Sequence, residues 1–162
     1  MSYCNGKIMN DEGLKCLVER IKMGFGDDLL GVILFGSRGR HEAKLSSDYD
    51  LFLIIKSLPK RPIERQEFIM EKVKKKGKVN FIAKTKEEFE SSFPSLYLDL
   101  ALDGVILFDK DGYTHAKIVQ IRKLIDEAGL VREKKTYGFN WRWLRNPALH
   151  WRIDWSGVYG IV

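Results

Sequence analysis

Two short stretches of this 162-residue sequence combine residue types that can bind phosphate groups and divalent metal ions. Gly36-Ser37 follows the apolar run 29–35, and Asp48-Tyr49-Asp50 opens a second apolar run. A glycine lets the backbone approach a phosphate closely, and the N–H groups that open a helix, together with the serine hydroxyl, can donate hydrogen bonds to it. Carboxylates two residues apart on a strand project from one face, and Mg²⁺ prefers such oxygen ligands. The two stretches predict a site for a phosphate-bearing ligand and a metal ion.

Three neighbouring residues extend the predicted site. Arg38 and Arg40 follow the Gly-Ser turn and bring positive charge beside a bound phosphate, and Ser47 directly precedes the carboxylates. Each part alone has a structural explanation, because Gly-Ser-x-Gly also forms tight turns and Asp-x-Asp also occurs as solvated or capping carboxylates. The combination of an anion-binding turn after a buried strand with a carboxylate pair some ten residues later favours the functional interpretation.

Helices and buried strands alternate along most of the chain, and they are the elements that must position this site. An Asn10-Asp11 cap precedes a helix that runs to about Phe25, and Thr85 with Glu88 forms a capping box. Continuous apolar runs predict strands at 29–35, 49–55, 78–83 and 104–108, and helices are predicted at 37–43, 63–76, 94–102 and 113–128. This order predicts an α/β (α+β) fold with a small mixed sheet flanked by helices.

The last part of the chain differs in composition. We expect one domain over residues 1–131, which contains the predicted site, and a Trp/Arg-rich extension over residues 132–162 packed on the same domain. The extension shows no helical or strand period, and it holds all four tryptophans, Trp141, Trp143, Trp151 and Trp155. Two roles stay open for them: covering an apolar edge of the sheet or a partner chain, or stacking on bases.

The overall composition excludes several classes of protein. Hydrophobic residues are 44% and charged residues 31% of the chain, as in a globular domain rather than a disordered one. No apolar run approaches the roughly 18–20 residues of a membrane span, and the first residues lack the apolar core of a signal peptide, which predicts a cytoplasmic protein without membrane contact. Cys4 and Cys16 are too few for a disulfide framework, and we expect two reduced thiols.

The net charge of +6 comes from one segment. Residues 56–86 hold eleven basic and three acidic side chains, and the remainder of the chain is nearly neutral. These lysines and arginines either complement the dipole at a helix C-terminus and keep the surface solvated, or contact the phosphate backbone of a nucleic acid. The charge alone does not define a function.

The pattern Gly36-Ser37 followed by Asp48-Tyr49-Asp50-Leu51 resembles the signature of the DNA polymerase beta-like nucleotidyltransferase superfamily, especially its minimal nucleotidyltransferases. The resemblance spans roughly residues 29–83, and residues 96–109 look like archaeal members with a C-terminal extension. It implies that Gly36 and Ser37 hold a nucleoside triphosphate, and that Asp48 and Asp50 bind two divalent metals, Mg²⁺ or Mn²⁺. A third carboxylate on a later strand of that family helps to activate the attacking group.

The sequence departs from the family at this third position, where Asn80 stands in the strand Val79-Asn80-Phe81. An amide oxygen can ligate a metal, but an amide does not accept a proton near neutral pH. Three explanations stay open: substrate, water or another carboxylate acts as the base; the protein binds nucleotide without turning it over; or another carboxylate replaces Asn80. The candidates for that replacement are Glu87, Glu88, Asp99 and Asp103.

Three functions follow from these observations. The first is a metal-dependent nucleotidyltransferase that moves a nucleoside monophosphate from a nucleoside triphosphate to an unidentified acceptor. The second is a catalytically weakened, nucleotide-binding regulator on the same scaffold, similar to an antitoxin that pairs with a helical protein partner. The third is a nucleic-acid-binding module that uses residues 56–86 and the tryptophan-rich extension, with RNA as one such partner. A homo-oligomer is left open.

Overall fold

A four-stranded mixed sheet with helices on both faces forms the centre of the molecule in a computed structural model, which describes residues 11–44, 46–74 and 77–160. The helices are α1 (Glu12–Phe25), α2 (Gly36–Gly39), α3 (Pro62–Val73), α4 (Lys86–Ser91), α5 (Ser95–Asp103) and α6 (Tyr113–Ala128), with a short 3-10 turn at Gly26–Asp28. The strands are β1 (Leu29–Phe35), β2 (Tyr49–Ile55), β3 (Val79–Thr85), β4 (Val105–Asp109), β5 (Leu130–Lys134), β6 (Phe139–Trp143), β7 (Arg152–Asp154) and β8 (Gly157–Tyr159). The predicted fold class, a small mixed sheet flanked by helices, is confirmed.

The strand order in the central sheet is β3-β2-β1-β4. β1 is antiparallel to both β2 and β4, and β2 is parallel to β3. The register places Asp50 of β2 opposite Phe35 of β1 on one side and opposite Asn80 of β3 on the other. The sheet therefore brings the three stretches that the sequence singled out to one end of neighbouring strands.

Two apolar layers hold the sheet, one on each face. Val32 and Leu34 of β1 face a cluster that includes residues of α1 and α3, and Ile33 faces a second cluster built with residues of α4, α5 and α6. All three side chains are almost fully buried. Because successive side chains of a strand point to opposite faces, a continuous apolar run is what a strand with two covered faces requires. β1 is such a strand, and the strand predicted at 29–35 is confirmed.

The helix ends largely follow the predicted capping signals. The Asp11 side chain accepts a hydrogen bond from the Leu14 N–H and caps α1, whereas Asn10, the other predicted capping residue, lies outside the described residues, as does Cys4. Thr85 and Glu88 form the predicted capping box at α4. The helix predicted for 63–76 is wrong at its end.

α3 ends at Val73, and the next residue explains why. Lys74 takes a left-handed conformation with φ 51°, and its N–H bonds to the Met70 carbonyl. This conformation closes a helix, so α3 does not continue through Lys74. Lys75 and Lys76 lie outside the described residues. The predicted helix 37–43 is also shorter, since α2 spans only Gly36–Gly39.

The C-terminal segment is more regular than the sequence reading indicated. β5 pairs with β6, and β7 pairs with β8, each as an antiparallel two-stranded sheet. In β6 the apolar residues Phe139, Trp141 and Trp143 alternate with exposed Asn140 and Arg142. This two-residue period was present in the sequence but short, and the prediction of no strand period was wrong there. None of the helices in the described segments is long and apolar enough to cross a membrane.

Candidate functional site

The turn that follows β1 lies directly against a carboxylate of β2. Phe35 is opposite Asp50 in the sheet, and Gly36 comes next in the chain with φ +69°. A Cβ built on Gly36 would overlap the Asp50 Oδ2 atom, so a larger residue would have to displace the carboxylate. Glycine is therefore required here both for its positive φ and for the close approach. The predicted phosphate-binding turn and one predicted metal ligand form a single site.

Asn80 is the other direct neighbour of Asp50. Its Nδ2 donates a hydrogen bond to Asp50 Oδ1 over 2.9 Å, and the two residues face each other across the parallel strands β2 and β3. Asn80 is exposed, whereas Asp50 is half-buried. A half-turn of the amide would place the Asn80 oxygen at the same position, so this residue can offer either a donor to Asp50 or an oxygen ligand to a cation.

Asp48 lies just before β2 and is exposed. Its backbone neighbours are fixed on both sides. The Ser47 carbonyl accepts hydrogen bonds from Arg38, and the Tyr49 N–H donates to the Lys78 carbonyl over 2.9 Å. The Ser47 hydroxyl accepts a hydrogen bond from the Lys44 N–H and so closes the loop before the strand. The backbone on both sides of Asp48 is thus fixed, and its exposed side chain precedes Asp50 by two residues.

Arg38 connects the Gly-Ser turn to this loop. Its Nε and Nη2 atoms lie 3.1 and 2.7 Å from the Ser47 carbonyl oxygen, and its guanidinium stacks 4.0 Å from the centre of the Tyr49 ring. Its Nη1 atom is 3.6 Å from Asp11 Oδ2, which also accepts a hydrogen bond from the Tyr49 hydroxyl at 2.8 Å. The structure therefore gives this predicted nucleotide ligand a set of protein contacts that link α1, the turn and β2.

The electrostatics of this cluster follow from its contacts. Partial burial opposes ionisation of Asp11, but hydrogen bonds from Tyr49 and from the Leu14 N–H, with the charge of Arg38, hold the pKa of the Asp11 carboxyl below its ordinary value. Burial and the same hydrogen bond to Asp11 raise the pKa of the Tyr49 hydroxyl. The sequence pattern predicts Asp11 only as a helix cap, because no local pattern reveals a contact with a residue 38 positions away.

Arg40 points toward the C-terminal hairpin. Its Nε atom lies 3.0 Å from Glu42 Oε2, and its guanidinium stacks 5.0 Å from the centre of the Phe139 ring in β6. A cleft of about 400 Å³ lies at this place, lined among others by His41 and Arg132. Ser37 is half-buried at the start of the turn. Of the predicted nucleotide ligands, Gly36 and Ser37 thus open the turn beside Asp50, while Arg40 faces the cleft.

The carboxylates considered as replacements for Asn80 have other positions or partners. Glu87 and Glu88 begin α4 at the far end of β3, roughly 20 Å along the strand from Asn80. Arg65 binds Glu88 through two hydrogen bonds of 2.8 and 2.9 Å, which lower the pKa of that carboxyl. Arg132 bonds to both Asp99 and Asp103, and Trp141 donates to Asp99.

The donor set at the site fits a hard divalent cation. Asp50 and Asn80 supply a carboxylate and an amide oxygen beside the Gly36 turn, and exposed Asp48, two residues before Asp50 in the chain, adds a second carboxylate. Within residues 11–44, 46–74 and 77–160 there is no group of three or more His, Cys, Asp and Glu side chains that could hold a metal alone. Mg²⁺ commonly binds through one or two carboxylates and completes its shell with water and substrate phosphates, so two carboxylates beside a phosphate-binding turn suffice.

A comparison with known proteins gives a family and a relative. The model of the family described as "Nucleotidyltransferase domain" matches residues 14–123. A protein of Methanocaldococcus jannaschii with the name "Putative protein adenylyltransferase" is 32% identical over 115 residues, which are 67% of this chain and 78% of that protein.

Two solved structures are also similar. A "putative nucleotidyltransferase" from Sulfolobus solfataricus is 22% identical, with a TM-score of 0.47 over 68% of this chain and 94% of that chain. A chain from the complex of a tri-AMPylated HEPN toxin with an MNT antitoxin of Shewanella oneidensis is 15% identical, with a TM-score of 0.43 over 75% of this chain and 87% of that chain.

Proposed function

The chain belongs to the nucleotidyltransferase domain family, and we propose that it transfers the adenylyl group of ATP to a hydroxyl group of a protein, with a divalent metal ion. Family membership confirms the resemblance drawn from Gly36-Ser37 and Asp48-Tyr49-Asp50. The adenylyl group and the protein acceptor come from the name of the M. jannaschii relative, and we carry them to this chain as the proposed reaction.

The contact between the Gly36 turn and the Asp50 carboxylate supports this function most directly. A triphosphate bound at the turn would place its oxygens beside Asp50, and Asp48 and Asp50 would hold a divalent cation that neutralises part of the phosphate charge. Phosphoryl transfer depends mainly on positioning of the phosphates and on neutralisation of their charge. A phosphate-binding turn that faces metal-binding carboxylates provides both. A structural turn alone would not need so close an approach to a carboxylate.

In the proposed reaction the acceptor oxygen attacks the α-phosphorus of ATP. A bond forms between that oxygen and phosphorus, the bond from the α-phosphorus to the bridging oxygen breaks, and pyrophosphate leaves with the bonding electrons. Gly36 and Ser37 orient the triphosphate, and Asp48 and Asp50 hold the cation. When bound, the metal neutralises phosphate charge and favours ionisation of the acceptor hydroxyl. Because Asn80 does not accept a proton, the hydroxyl proton passes to a group that the site residues do not supply: water, the departing pyrophosphate or a carboxylate of the acceptor protein.

A second candidate function is nucleotide binding without turnover, in a regulatory protein with a helical protein partner. The Asn80 contact favours it, because the amide donates to Asp50 at the position where the family usually has its third carboxylate. General base catalysis contributes about 10²–10⁴-fold to rates but is not needed for binding. A site without the base would therefore still bind metal and nucleotide. Pyrophosphate release distinguishes the two functions.

The first experiment measures binding and transfer in the full chain. ATP labelled at the α-phosphate is incubated with Mg²⁺ or Mn²⁺ and a synthetic Glu/Tyr copolymer as the acceptor, and polymer-bound label and pyrophosphate are quantified. Calorimetric titration gives ATP affinity with and without metal. We expect metal-dependent ATP binding and incorporation of the α-label, with no incorporation from γ-labelled ATP.

Two variants test the residues, and a third serves as the matched control. Asp48→Asn and Asp50→Asn should each weaken metal-dependent ATP binding by about 100-fold or more while leaving the unfolding transition intact. Asp111→Asn removes an exposed carboxylate from a turn whose φ of 56° asparagine adopts readily, and it should bind as the wild type does. ATP binding of wild-type strength in either site variant would contradict the assignment of that residue.

A further inference from the structure

The C-terminal extension leaves several large hydrophobic side chains in solvent. Leu149 is 96% exposed, Leu144 is 62% exposed and Trp151 is 49% exposed. The Trp151 ring packs edge-on against Trp143, with 4.7 Å between the ring centres. We call these four residues the C-terminal patch: Trp143, Leu144, Leu149 and Trp151. The Trp143–Trp151 contact closes the loop 144–150, which carries Leu144 and Leu149, and exposed apolar side chains grouped on one loop are typical of an interaction site.

The other two tryptophans of the extension anchor it to the domain. Trp155 Nε1 donates to the Phe89 and Ser92 carbonyls, each at 2.9 Å, and its ring packs 5.0 Å from the Phe89 ring. Trp141 Nε1 donates to Asp99 over 3.2 Å. These contacts cover an apolar side of the domain, as one of the two predicted roles for the tryptophans requires. The patch residues are therefore presented from a fixed support.

The loop that carries the patch is itself held by backbone hydrogen bonds. The Leu144 N–H donates to the Gly129 carbonyl over 2.8 Å, and the Ala148 N–H donates to the Gly160 carbonyl over 2.7 Å. The first bond ties the end of β6 to the end of α6, and the second ties the loop to the strand pair β7–β8. Pre-ordering of a surface lowers the entropic cost of binding, so this loop is suited to docking.

The charge of the extension indicates what chemistry the partner has. Residues 132–162 hold six basic and two acidic side chains. Most of these charges are paired: Glu133 with Arg142, Asp154 with Arg152 at 2.8 Å, Arg132 with Asp99 and Asp103, and Lys134 with Glu42. Exposed Arg145 lies within the loop between Leu144 and Leu149. An apolar patch of tryptophan and leucine beside an arginine is complementary to an acidic protein surface that also offers apolar side chains.

The most exposed members of the patch favour a protein over the other occupants. Leu144 and Leu149 are more exposed than Trp151, and aliphatic side chains do not stack on bases as aromatic rings do. A two-fold contact of the patch with a second copy of this chain would bring two exposed Arg145 side chains together, which electrostatic repulsion opposes. An acidic protein segment satisfies both the apolar and the charged features.

The patch is connected to the nucleotide site through β6. This strand begins at Phe139, which stacks on Arg40 three residues after Ser37, and ends at Trp143 about 14 Å away. Lys134 of the same hairpin pairs with Glu42 at 3.1 Å. The cleft of about 400 Å³ lined by Arg40 and Phe139 lies along this path. A partner docked on the patch could thus extend a side chain toward the turn.

We propose that the C-terminal patch docks the protein that accepts the adenylyl group, and that this acceptor presents an acidic segment with apolar side chains. The identification of the docked protein as the adenylyl acceptor rests on the proposed function, whereas the docking of an acidic protein at the patch does not. It assigns the extension, residues 132–162, to acceptor recognition and residues 1–131 to nucleotide binding.

The test uses the full chain and a fluorescent Glu/Tyr copolymer, which supplies acidic, aromatic and hydroxyl groups. Anisotropy measures copolymer binding without nucleotide at physiological ionic strength. Leu149→Ser and Arg145→Glu should each weaken this binding about tenfold or more while ATP affinity is unchanged. Ile63→Ser is the matched control, because Ile63 is 76% exposed on α3, outside the extension, and its variant should bind the copolymer as the wild type does.

Each outcome gives a decision on the docking. No copolymer binding by the wild type, or equal binding by Leu149→Ser and the wild type, would overturn it. Tighter binding of oligo(dT) that Leu149→Ser abolishes would assign the patch to nucleic acid instead, and a sedimenting dimer that the same variant dissociates would assign it to a second copy. Binding through the patch without label transfer would leave the docking standing and refute the proposed reaction. Label transfer that Leu149→Ser leaves unchanged would support the proposed reaction and refute docking of the acceptor at the patch.

Discussion

Substitution of Asn80 by aspartate tests the site where this chain departs from its family. Asn80 Nδ2 lies 2.9 Å from Asp50 Oδ1, so Asn80→Asp replaces a hydrogen bond by two carboxylates whose charges are about 4 Å apart. At that distance the repulsion is about 1 kcal/mol in water and about 4 kcal/mol near a protein surface, and the exposure of Asn80 favours about 1–2 kcal/mol. Loss of the hydrogen bond adds about 1 kcal/mol.

The expected result is a site that is unstable without metal and binds metal more tightly. We expect the free energy of unfolding of Asn80→Asp to fall by about 2–3 kcal/mol in chelator, and Mg²⁺ or Mn²⁺ to restore it, since a cation between the carboxylates removes the repulsion. Relief of about 1–2 kcal/mol corresponds to a gain of about 5–30-fold in metal affinity. Denaturant unfolding in chelator and in metal, with a calorimetric titration of Mn²⁺, measures both effects.

A matched control separates metal binding from simple charge repulsion. Asn140 is also exposed on a strand and lies opposite Glu133 in the β5–β6 pair, so Asn140→Asp likewise places two carboxylates across a ladder. Because Arg142 and Lys135 already pair with Glu133, Asn140→Asp should change the free energy of unfolding little, both in chelator and in metal. Two results would refute a metal site between residues 50 and 80: Asn80→Asp as stable as the wild type in chelator, or an equal gain of stability with metal in both variants.

Three further substitutions test two contacts of the site and one ion pair elsewhere in the fold. Gly36→Ala should lose about 1 kcal/mol or more of stability and most of its metal-dependent ATP affinity, because alanine at φ +69° is strained and its Cβ meets Asp50. A titration with ATP measures this affinity, and an unchanged value would contradict the close approach of Gly36 to Asp50. Arg38→Gln should lower the free energy of unfolding by about 2 kcal/mol and weaken Mn²⁺ binding. Arg38→Lys should recover only part of the stability and of the Mn²⁺ affinity, because a single ammonium cannot reproduce the two hydrogen bonds to Ser47 and the stacking on Tyr49. Full recovery by lysine would argue against this positioning role. Glu88→Gln should cost about 1 kcal/mol at neutral pH, discounted for the partial exposure of the carboxylate. Because Arg65 lowers the pKa of Glu88 in the folded protein, the wild type should lose this stability as pH falls below the ordinary value of 4.5, and a stability–pH curve of the glutamine variant with the same loss would contradict the pairing.

The sequence predicted the central elements because each one depends on a local signal. The apolar runs 29–35 and 49–55 match β1 and β2 exactly at both ends, since a strand buried on two faces must be continuously apolar. The capping box at Thr85 and the cap at Asp11 are likewise local. Lys74 escaped prediction because a non-glycine residue in a left-handed conformation leaves no pattern in the sequence.

The geometry of the site depended on long-range pairing that one sequence does not contain. The motifs indicated Gly36 and Asp50 as ligands, yet their contact follows from the antiparallel register of β1 and β2. The side-chain contacts of Arg38 were beyond prediction for the same reason. Its position after the turn predicted a phosphate contact, whereas the fold supplies a carbonyl, a ring and a carboxylate from two other segments.

The two candidate functions of this chain share one binding geometry and differ in where a proton goes. Gly36, Asp48 and Asp50 are sufficient to hold a triphosphate with its cation, and none of them needs to take a proton from an acceptor. Asn80 fills the position beside Asp50 with a donor, which neutral pH does not change. A transferase with this amide must therefore obtain its proton acceptor from outside the site, which a protein docked on the C-terminal patch could supply from its own acidic segment. In that arrangement acceptor recognition and proton removal would come from the same partner, and an acidic partner is what exposed Arg145 in the patch loop favours.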